Sequence, residues 1–428
     1  MLPLDYVHAI CLVGVALYIW RREPARLLLT PMMLLSFFVL YGVGGIVYFV
    51  GADTVPEIRQ AVTTCFIIMW VGLIVGIELA RLSFPILLHR AQSVIRTWSR
   101  TALHDRSQMD QLLVVIGVLM AIFILGVFLG YGKPGQIRTW LSIDSARDKL
   151  KYRLEVGSQG GYFYQLLIAS VAPFVSFLLL AKARMGGYRH LRTAGVLLCV
   201  AVVAGKLGTF EKLPWVLFLL QLLVVSQAAR SLEVNLKRLL LLTFILVAGT
   251  AAASALALSS VGTGLFEFLV YRFFEVNNEV IYQTFYVYPQ HLPHTWGMNI
   301  GLVQSIFGSG EASLAHTQVA NFFGAVGATF DAFYIADTWV DFGYAGVTVM
   351  SVVVGFLVKS IDIFIASRGK TPMALALIGS GTYGVFQLQV TSAFTAFLSG
   401  GLVSLPLLVM LSQGLVNDLS HGRVQWQK

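Results

Sequence analysis

The chain has 428 residues, of which 57% are hydrophobic and only 12% charged, and its mean hydropathy is +0.77. Soluble domains carry about 25% charged residues, so this composition excludes an ordinary soluble protein and predicts an all-α polytopic integral membrane protein. The apolar segments are continuous rather than alternating, which excludes a transmembrane β-barrel.

The apolar runs predict about eleven transmembrane helices in a single transmembrane domain, residues 1–428. The runs lie near residues 4–20, 28–49, 61–80, 112–130, 163–181, 194–207, 214–228, 239–258, 342–365, 373–391 and 395–412. No basic region precedes the first run, which is therefore interpreted as a span and not as a cleaved signal. The three cysteines lie in apolar runs without metal-ligand spacing, so no metal or cofactor is predicted.

The distribution of Lys and Arg predicts the orientation of these spans. With the N-terminus outside and the C-terminus inside, the inner loops hold 19 of the 30 cations, as the positive-inside rule requires. The net charge of +9 is then explained mainly by the cations of the inner loops, which set the orientation of the spans in the membrane. Because its cations lie in separate short loops, nucleic-acid binding is not predicted.

The first sizeable outer segment, residues 131–162, is a basic loop that departs from this rule. It contains six cations: Lys133, Arg138, Arg147, Lys149, Lys151 and Arg153. A helix from Ser142 to Val156 would place Arg147, Lys151 and Glu155 on one face. Such a face suits anionic lipid or a phosphorylated ligand. The alternative is a solvated interfacial helix whose charges pair with each other and with head groups.

Between the sixth and seventh spans, a very short outer turn carries Lys206. This lysine either extends to the membrane surface or lines an outward cavity.

The second outer segment, residues 259–341, is a large loop expected to contain interfacial or re-entrant helices. It holds seven of the 21 acidic residues, three of the eight histidines and a single cation, Arg272. Arg272 is spaced to meet Glu275 and Glu279 on one helix face, which fits a buried Arg between carboxylates as well as a catalytic group. The aromatic residues of this segment fit either an interfacial belt or a sugar-stacking surface.

Asp337 and Asp341 are four residues apart at the end of this segment. Asp341 precedes an apolar run, so its expected structural role is to cap that helix. Gly343 and Gly346 are expected to allow close approach of a neighbouring helix.

Five motifs occur in one order: GGYFYQL, KLGTFEKLPW, YRFFEVNNEVIYQTF, HLPHTWG and NFFGAVGATFDAFYIADTWVDFGYAG. Mainly over residues 138–358, the chain resembles the Wzy-type polymerases that join the oligosaccharide repeat units of O-antigen and capsule. The resemblance implies a GT-C-like glycosyltransferase of the bacterial inner membrane, with both outer segments and the N-terminus in the periplasm and the C-terminus in the cytoplasm. It also implies undecaprenyl-pyrophosphate-linked oligosaccharides as substrates, no metal, and a chain-length regulator and a flippase as candidate partners.

One family pattern, an Arg followed eleven residues later by Gly, is absent at the four arginines considered. The positions in question are occupied by Lys149, Ser158, Tyr164 and Gln283. Roles are therefore assigned by position and chemistry.

Glycosyl transfer from a lipid pyrophosphate requires cations for the leaving group and a base for the acceptor hydroxyl. The predicted pyrophosphate-binding residues are first Arg147, Arg153 and Arg272, and second Lys151 and Lys206. The predicted bases are His316 and His294, then Glu279 and Asp337. The predicted sugar-binding residues are Tyr282, Trp296 and Asn321.

Two other functions fit the same sequence. One is an O-antigen ligase or a related polyprenyl-phosphate-dependent transferase. The other is a lipid-linked oligosaccharide flippase or transporter, although ionisable groups here concentrate in outer segments rather than near the membrane midplane.

Overall fold

A computed structural model describes residues 3–24, 26–104, 110–143, 145–156, 159–210, 212–234, 271–300, 303–304, 314–324 and 333–411. The helices in chain order are α1 (Pro3–Arg22), α2 (Leu29–Gly51), α3 (Pro56–Ser83), α4 (Pro85–Thr97), α5 (Asp110–Gly130), α6 (Lys133–Ser142), α7 (Ala146–Val156), α8 (Gly161–Gly186), α9 (Arg189–Leu207), α10 (Lys212–Ala228), α11 (Val276–Val287), α12 (Ala315–Phe322), α13 (Tyr334–Ser367), α14 (Pro372–Val390) and α15 (Ala393–Phe397). Within these ranges there is no β-strand, which confirms the all-α prediction.

Eight of these helices are long and apolar enough to cross a membrane: α1, α2, α3, α5, α8, α9, α13 and α14. Helix α10 is apolar but shorter, with its apolar part at Pro214–Ala228. The predicted span at 239–258 lies outside the described residues. The last predicted run is described as α15 and a helix over residues 404–411.

Helices α3 and α13 pack in close contact, because glycines remove side chains from their interface. A Cβ atom at Gly76 would clash with the carbonyl oxygen of Val352, and one at Gly355 would clash with that of Leu73. At Gly72, an added Cβ would lie 2.8 Å from the Ser351 Cβ. Small residues are the usual means by which membrane helices approach this closely.

Ion pairs mark two opposite faces of the helix bundle. At the face where α1 begins, which we call the N-terminal face, Arg59 pairs with Asp5 at 2.7 Å. Also at this face, the Val55 N–H donates to the Tyr282 hydroxyl at 2.9 Å, which joins the start of α3 to α11.

At the opposite face, where α1 ends, buried Glu23 accepts from Arg81 at 2.8 Å and from Lys359. Nearby, both carboxylate oxygens of buried Asp362 accept the backbone N–H groups of Leu29 and Thr30, at 2.8 and 2.7 Å. These contacts hold the last third of α13 against α1, α2 and α3.

The basic outer segment is more helical than predicted. A single helix from Ser142 was expected, and the structure instead has α6 and α7 separated near Ile143, whose backbone is extended. Gly132 and Gly160 lie just outside this pair of helices and have left-handed backbone conformations. Glycine adopts this conformation without a steric clash because it has no Cβ atom. The segment therefore begins and ends at glycine turns.

We predict that Gly76→Ala destabilises the protein by about 1–3 kcal/mol, because the added methyl forces α3 away from α13. The measurement is the thermal midpoint of the detergent-solubilised protein. The matched control is Gly126→Ala in α5, where an added Cβ meets nothing within 4 Å. Equal midpoints for the two variants would contradict the packing described.

Candidate functional site

A buried carboxylate organises the segment that precedes α12. Asp341 is 4% exposed and accepts from the Thr295 hydroxyl at 2.5 Å, the Gly297 N–H at 3.0 Å and the Asn299 N–H at 3.2 Å. Three donors offset the cost of burying this carboxylate. The expectation that Asp341 caps its own helix is therefore wrong, because its side chain binds a distant loop.

The loop is also paired to the backbone of α13. Thr295 N–H donates to the Val340 carbonyl at 3.0 Å, and Trp296 N–H donates to the Asp341 carbonyl at 3.1 Å. These bonds fix residues 295–299 along the first part of α13.

Helix α13 is kinked at Gly343, directly after this contact. Gly343 has φ 58° and ψ −142°, a conformation that glycine adopts without the steric cost of a side chain. An added Cβ at Gly346 would lie 2.7 Å from the Thr338 carbonyl oxygen. The two glycines thus permit the kink within α13. The expectation that Gly343 and Gly346 allow a neighbouring helix to approach closely is therefore wrong.

A cavity of about 300 Å³ lies beside α13 at this kink. Its lining comprises Asn299, Ile300, Tyr334, Asp337, Thr338, Asp341, Phe342, Ala345, Gly346, Val349, Met350, Ser392, Ala393 and Phe394. Phe342 and Val349 are 40% and 63% exposed, so the cavity is open at its side. It combines two carboxylates with an apolar wall.

Asn299 connects the cavity to α12. Its amide Nδ2 donates to Asp337 Oδ1 at 2.9 Å, and its Oδ1 accepts from the Ala315 N–H at 3.0 Å. Asn299 therefore orients the Asp337 carboxylate and holds the start of α12, which carries His316. The sequence reasoning missed Asn299, whose role depends on partners 38 and 16 residues away.

The predicted histidines lie close to this site but do not line the described cavity. The Nδ1 of His294 lies 3.1 Å from the Val340 carbonyl oxygen, and its ring meets Trp339 edge-on at 5.7 Å. His316 is half-buried, and burial lowers its pKa, which favours the neutral ring. Asp337, predicted fourth as a base, is the one of these candidates that lines the cavity.

Glu279 and Tyr282 lie on α11, away from the residues that line the cavity. Glu279 accepts from the Gln283 amide at 3.0 Å, and its pKa is raised by burial and by nearby Glu275. The Tyr282 hydroxyl accepts from Val55 N–H, so this predicted sugar ligand joins α11 to the loop before α3.

The two other predicted sugar ligands are exposed. Trp296 is 75% exposed and packs edge-on against Phe342, a cavity residue, at 6.4 Å. Asn321 is exposed near the end of α12. Neither residue lines the cavity itself.

One cation of the first outer segment, Lys133, is anchored at a different place, the turn after α9. The Lys133 ammonium lies 5.2 Å from the centre of the buried Phe210 ring and donates to the Val156 carbonyl. The rings of Trp140 and Tyr152 lie 6.1 and 6.0 Å from Phe210. Phe210 thus joins α6 and α7 to the end of α9.

The predicted pyrophosphate ligands divide into three groups. Lys151 is exposed and Arg153 half-buried on α7. Lys206 is only 1% exposed, with its ammonium 4.8 Å from the Tyr383 ring. The side chains of Arg147 and Arg272 lie outside the described part of the structure.

Among the described residues that line the cavity, none is basic. The cavity thus holds one predicted base, Asp337, and none of the predicted pyrophosphate ligands whose side chains the structure describes. In the ranges that the structure describes, there is no group of three or more His, Cys, Asp or Glu side chains arranged to hold a metal ion.

Comparison with known proteins adds no further assignment. No protein-family model matches the chain, and no curated protein or solved structure shows significant similarity to it.

We predict that Asp341→Ala releases residues 295–299 from α13, because three donors lose their acceptor. The measurement is hydrogen–deuterium exchange of the Gly297 and Asn299 amides, which we expect to accelerate at least about tenfold from the loss of about 1.4 kcal/mol of protection. Asp148→Asn, at an exposed position of α7, is the control. Unchanged exchange in Asp341→Ala would refute the role of this carboxylate.

We predict that Glu279→Gln raises the thermal midpoint at neutral pH. A raised folded-state pKa means that ionised Glu279 destabilises the fold as pH rises above the ordinary carboxyl pKa. The amide removes this charge and still accepts from Gln283. The gain should disappear in acid, where Glu279 is protonated in both states. Glu57→Gln, at an exposed position, is the control, and an equal midpoint shift in that variant would contradict the prediction.

Proposed function

We propose that the protein is a glycosyltransferase that polymerises undecaprenyl-pyrophosphate-linked oligosaccharide repeat units at the periplasmic face of a bacterial inner membrane. The proposal includes a GT-C-like architecture with about eleven spans and an N-terminus in the periplasm. The observation that carries it is the side-open cavity, in which carboxylates and an apolar wall occur together.

The cavity matches the two chemical parts of a lipid-linked sugar. Exposed apolar side chains at its opening, Phe342, Val349 and Phe394, suit a polyprenyl chain that enters from the bilayer. Asp337 and Asn299 provide the polar end that a sugar requires, since ligand sites combine apolar surface with a few placed polar groups.

Asp337 is the proposed general base. Its carboxylate takes the proton of the acceptor hydroxyl while the hydroxyl oxygen forms a bond to the anomeric carbon of the donor. The bond between that carbon and the pyrophosphate oxygen breaks, and the lipid pyrophosphate leaves with the electron pair. Asn299 positions Asp337, and Asp341 holds the loop that carries Asn299.

The leaving pyrophosphate requires cations. In the proposal, Arg147, Arg153 and Arg272 supply them, with Lys151 and Lys206 as additional groups. Support comes from the arrangement of α5 and α8, whose other ends are joined by the ion pair of Asp110 with Lys182. The basic helices α6 and α7, which carry Lys151 and Arg153, therefore lie at the far ends of α5 and α8.

The decisive experiment incubates the purified protein with lipid-linked repeat units. A ladder of increasing chain length supports a polymerase. Single transfer to lipid A would indicate a ligase, and passage across liposomes without a glycosidic product would indicate a flippase or transporter. Either of the last two outcomes overturns the proposed polymerase.

We predict that Asp337→Asn lowers the rate of polymer formation at least about a hundredfold, the usual effect of losing a general base, while the protein remains folded. Arg147→Ala and Arg272→Ala should also strongly reduce polymer. Asp53→Asn and Arg189→Ala, both at exposed positions, are the controls. Normal polymer from Asp337→Asn would remove this residue from the mechanism, and normal polymer from both arginine variants would remove the cation assignment.

A further inference from the structure

Four rings at the junction of α11 and α12 form a surface that we call the aromatic platform: half-buried Tyr286 and exposed His291, Phe322 and Phe323. The ring centres of Tyr286 and His291 are 5.0 Å apart, those of His291 and Phe322 4.9 Å, and those of Phe322 and Phe323 5.3 Å. Phe322 and Phe323 are 46% and 42% exposed. Clustered exposed rings of this kind usually mark a binding surface.

The surroundings of the platform are polar. Gln290, in the turn after α11, and Asn321, beside Phe322, are both exposed. The platform therefore has the rim expected of a surface in contact with water. Helix α5, one of the candidate spans, exposes mainly aliphatic side chains, including Leu119 and Ile122 at 60% each, with Phe123 at 43%.

The platform is held rigidly against α13. Tyr288 donates its hydroxyl hydrogen to Gln318 of α12, and its carbonyl accepts from the Trp339 indole N–H at 2.8 Å. The rings of Phe285 and Trp339 are stacked 4.3 Å apart. Burial and the nearby Asp341 carboxylate raise the pKa of Tyr288 to about 12, so the hydroxyl keeps the hydrogen that it donates.

The same helix connects the platform to the cavity. Ala315, the first residue of α12, donates its N–H to Asn299, which in turn donates to Asp337. Phe322 is seven residues further along α12, which corresponds to about 10 Å at 1.5 Å per residue. A chain of sugars that leaves the cavity along α12 would thus reach the platform.

We propose that the aromatic platform binds the sugar rings of an oligosaccharide chain and forms a subsite beyond the Asp337 cavity. One face of a pyranose ring carries C–H groups with partial positive charge, which pack on the negative face of an aromatic ring. The hydroxyls around that sugar ring find hydrogen-bonding partners at Asn321 and Gln290. The identity of the ligand as a growing sugar chain rests on the proposed function, whereas the binding itself does not require catalysis.

The experiment measures binding of free oligosaccharides to the full-length protein in lipid nanodiscs by saturation-transfer NMR and calorimetry. The probes are short oligosaccharides released by mild acid from the surface polysaccharide of the source organism. We expect Phe322→Ala and Phe323→Ala each to raise Kd about three- to tenfold, the usual effect of one aromatic contact. Phe322→Trp should retain binding because it keeps an aromatic face.

Trp20→Ala is the matched control, since Trp20 is 82% exposed in the last turn of α1, at the opposite face. The platform is refuted if the wild-type protein binds no probe, if both alanine variants bind as tightly as the wild type, or if Trp20→Ala weakens binding equally. Binding that depends on the platform in a protein that forms no polymer would support the platform and overturn the proposed polymerase.

Discussion

The hydrogen bonds accepted by the Asp341 side chain define the geometry of the candidate site. A buried carboxylate is costly unless donors surround it, and here the donors all belong to the loop at residues 295–299. This requirement fixes the loop on α13, and the loop then supplies Asn299 to both Asp337 and α12. The cavity and the aromatic platform therefore depend on one buried charge whose donors lie 42 to 46 residues away in the sequence.

Helix α13 performs two structural tasks in separate parts of its length. Its 34 residues correspond to about 51 Å, which exceeds the ~30 Å hydrocarbon core of a bilayer. The part after Gly343 packs on α3 through glycine contacts, as a spanning helix does. The part before Gly343 carries Asp337 and Asp341 and lies beside polar loop residues. The cavity lies at the kink and is lined from both parts of the helix.

The all-α fold with several helices able to cross a membrane could be predicted because apolar runs are local properties of the sequence. Asp337 was also a candidate from the sequence alone, since an acid in a hydrophobic chain is conspicuous. Asn299 was not, since an isolated asparagine has no distinctive pattern until folding brings it to Asp337. The kink was missed for a related reason: Gly343 in an apolar helix has the same sequence pattern whether it serves close packing or a left-handed turn.

The buried contacts at the opposite face have a mechanical consequence for the site. Glu23 holds Lys359, and Asp362 holds the backbone of Leu29 and Thr30, so the far end of α13 is clamped to three other helices. The arm before Gly343 is held as well, because Tyr334 is buried and its hydroxyl lies 3.1 Å from the Ser351 hydroxyl across the kink. Both arms of α13 are thus fixed, so the bend at Gly343 sets a constant angle at which Asp337 and Asp341 are presented relative to the part of α13 that packs on α3.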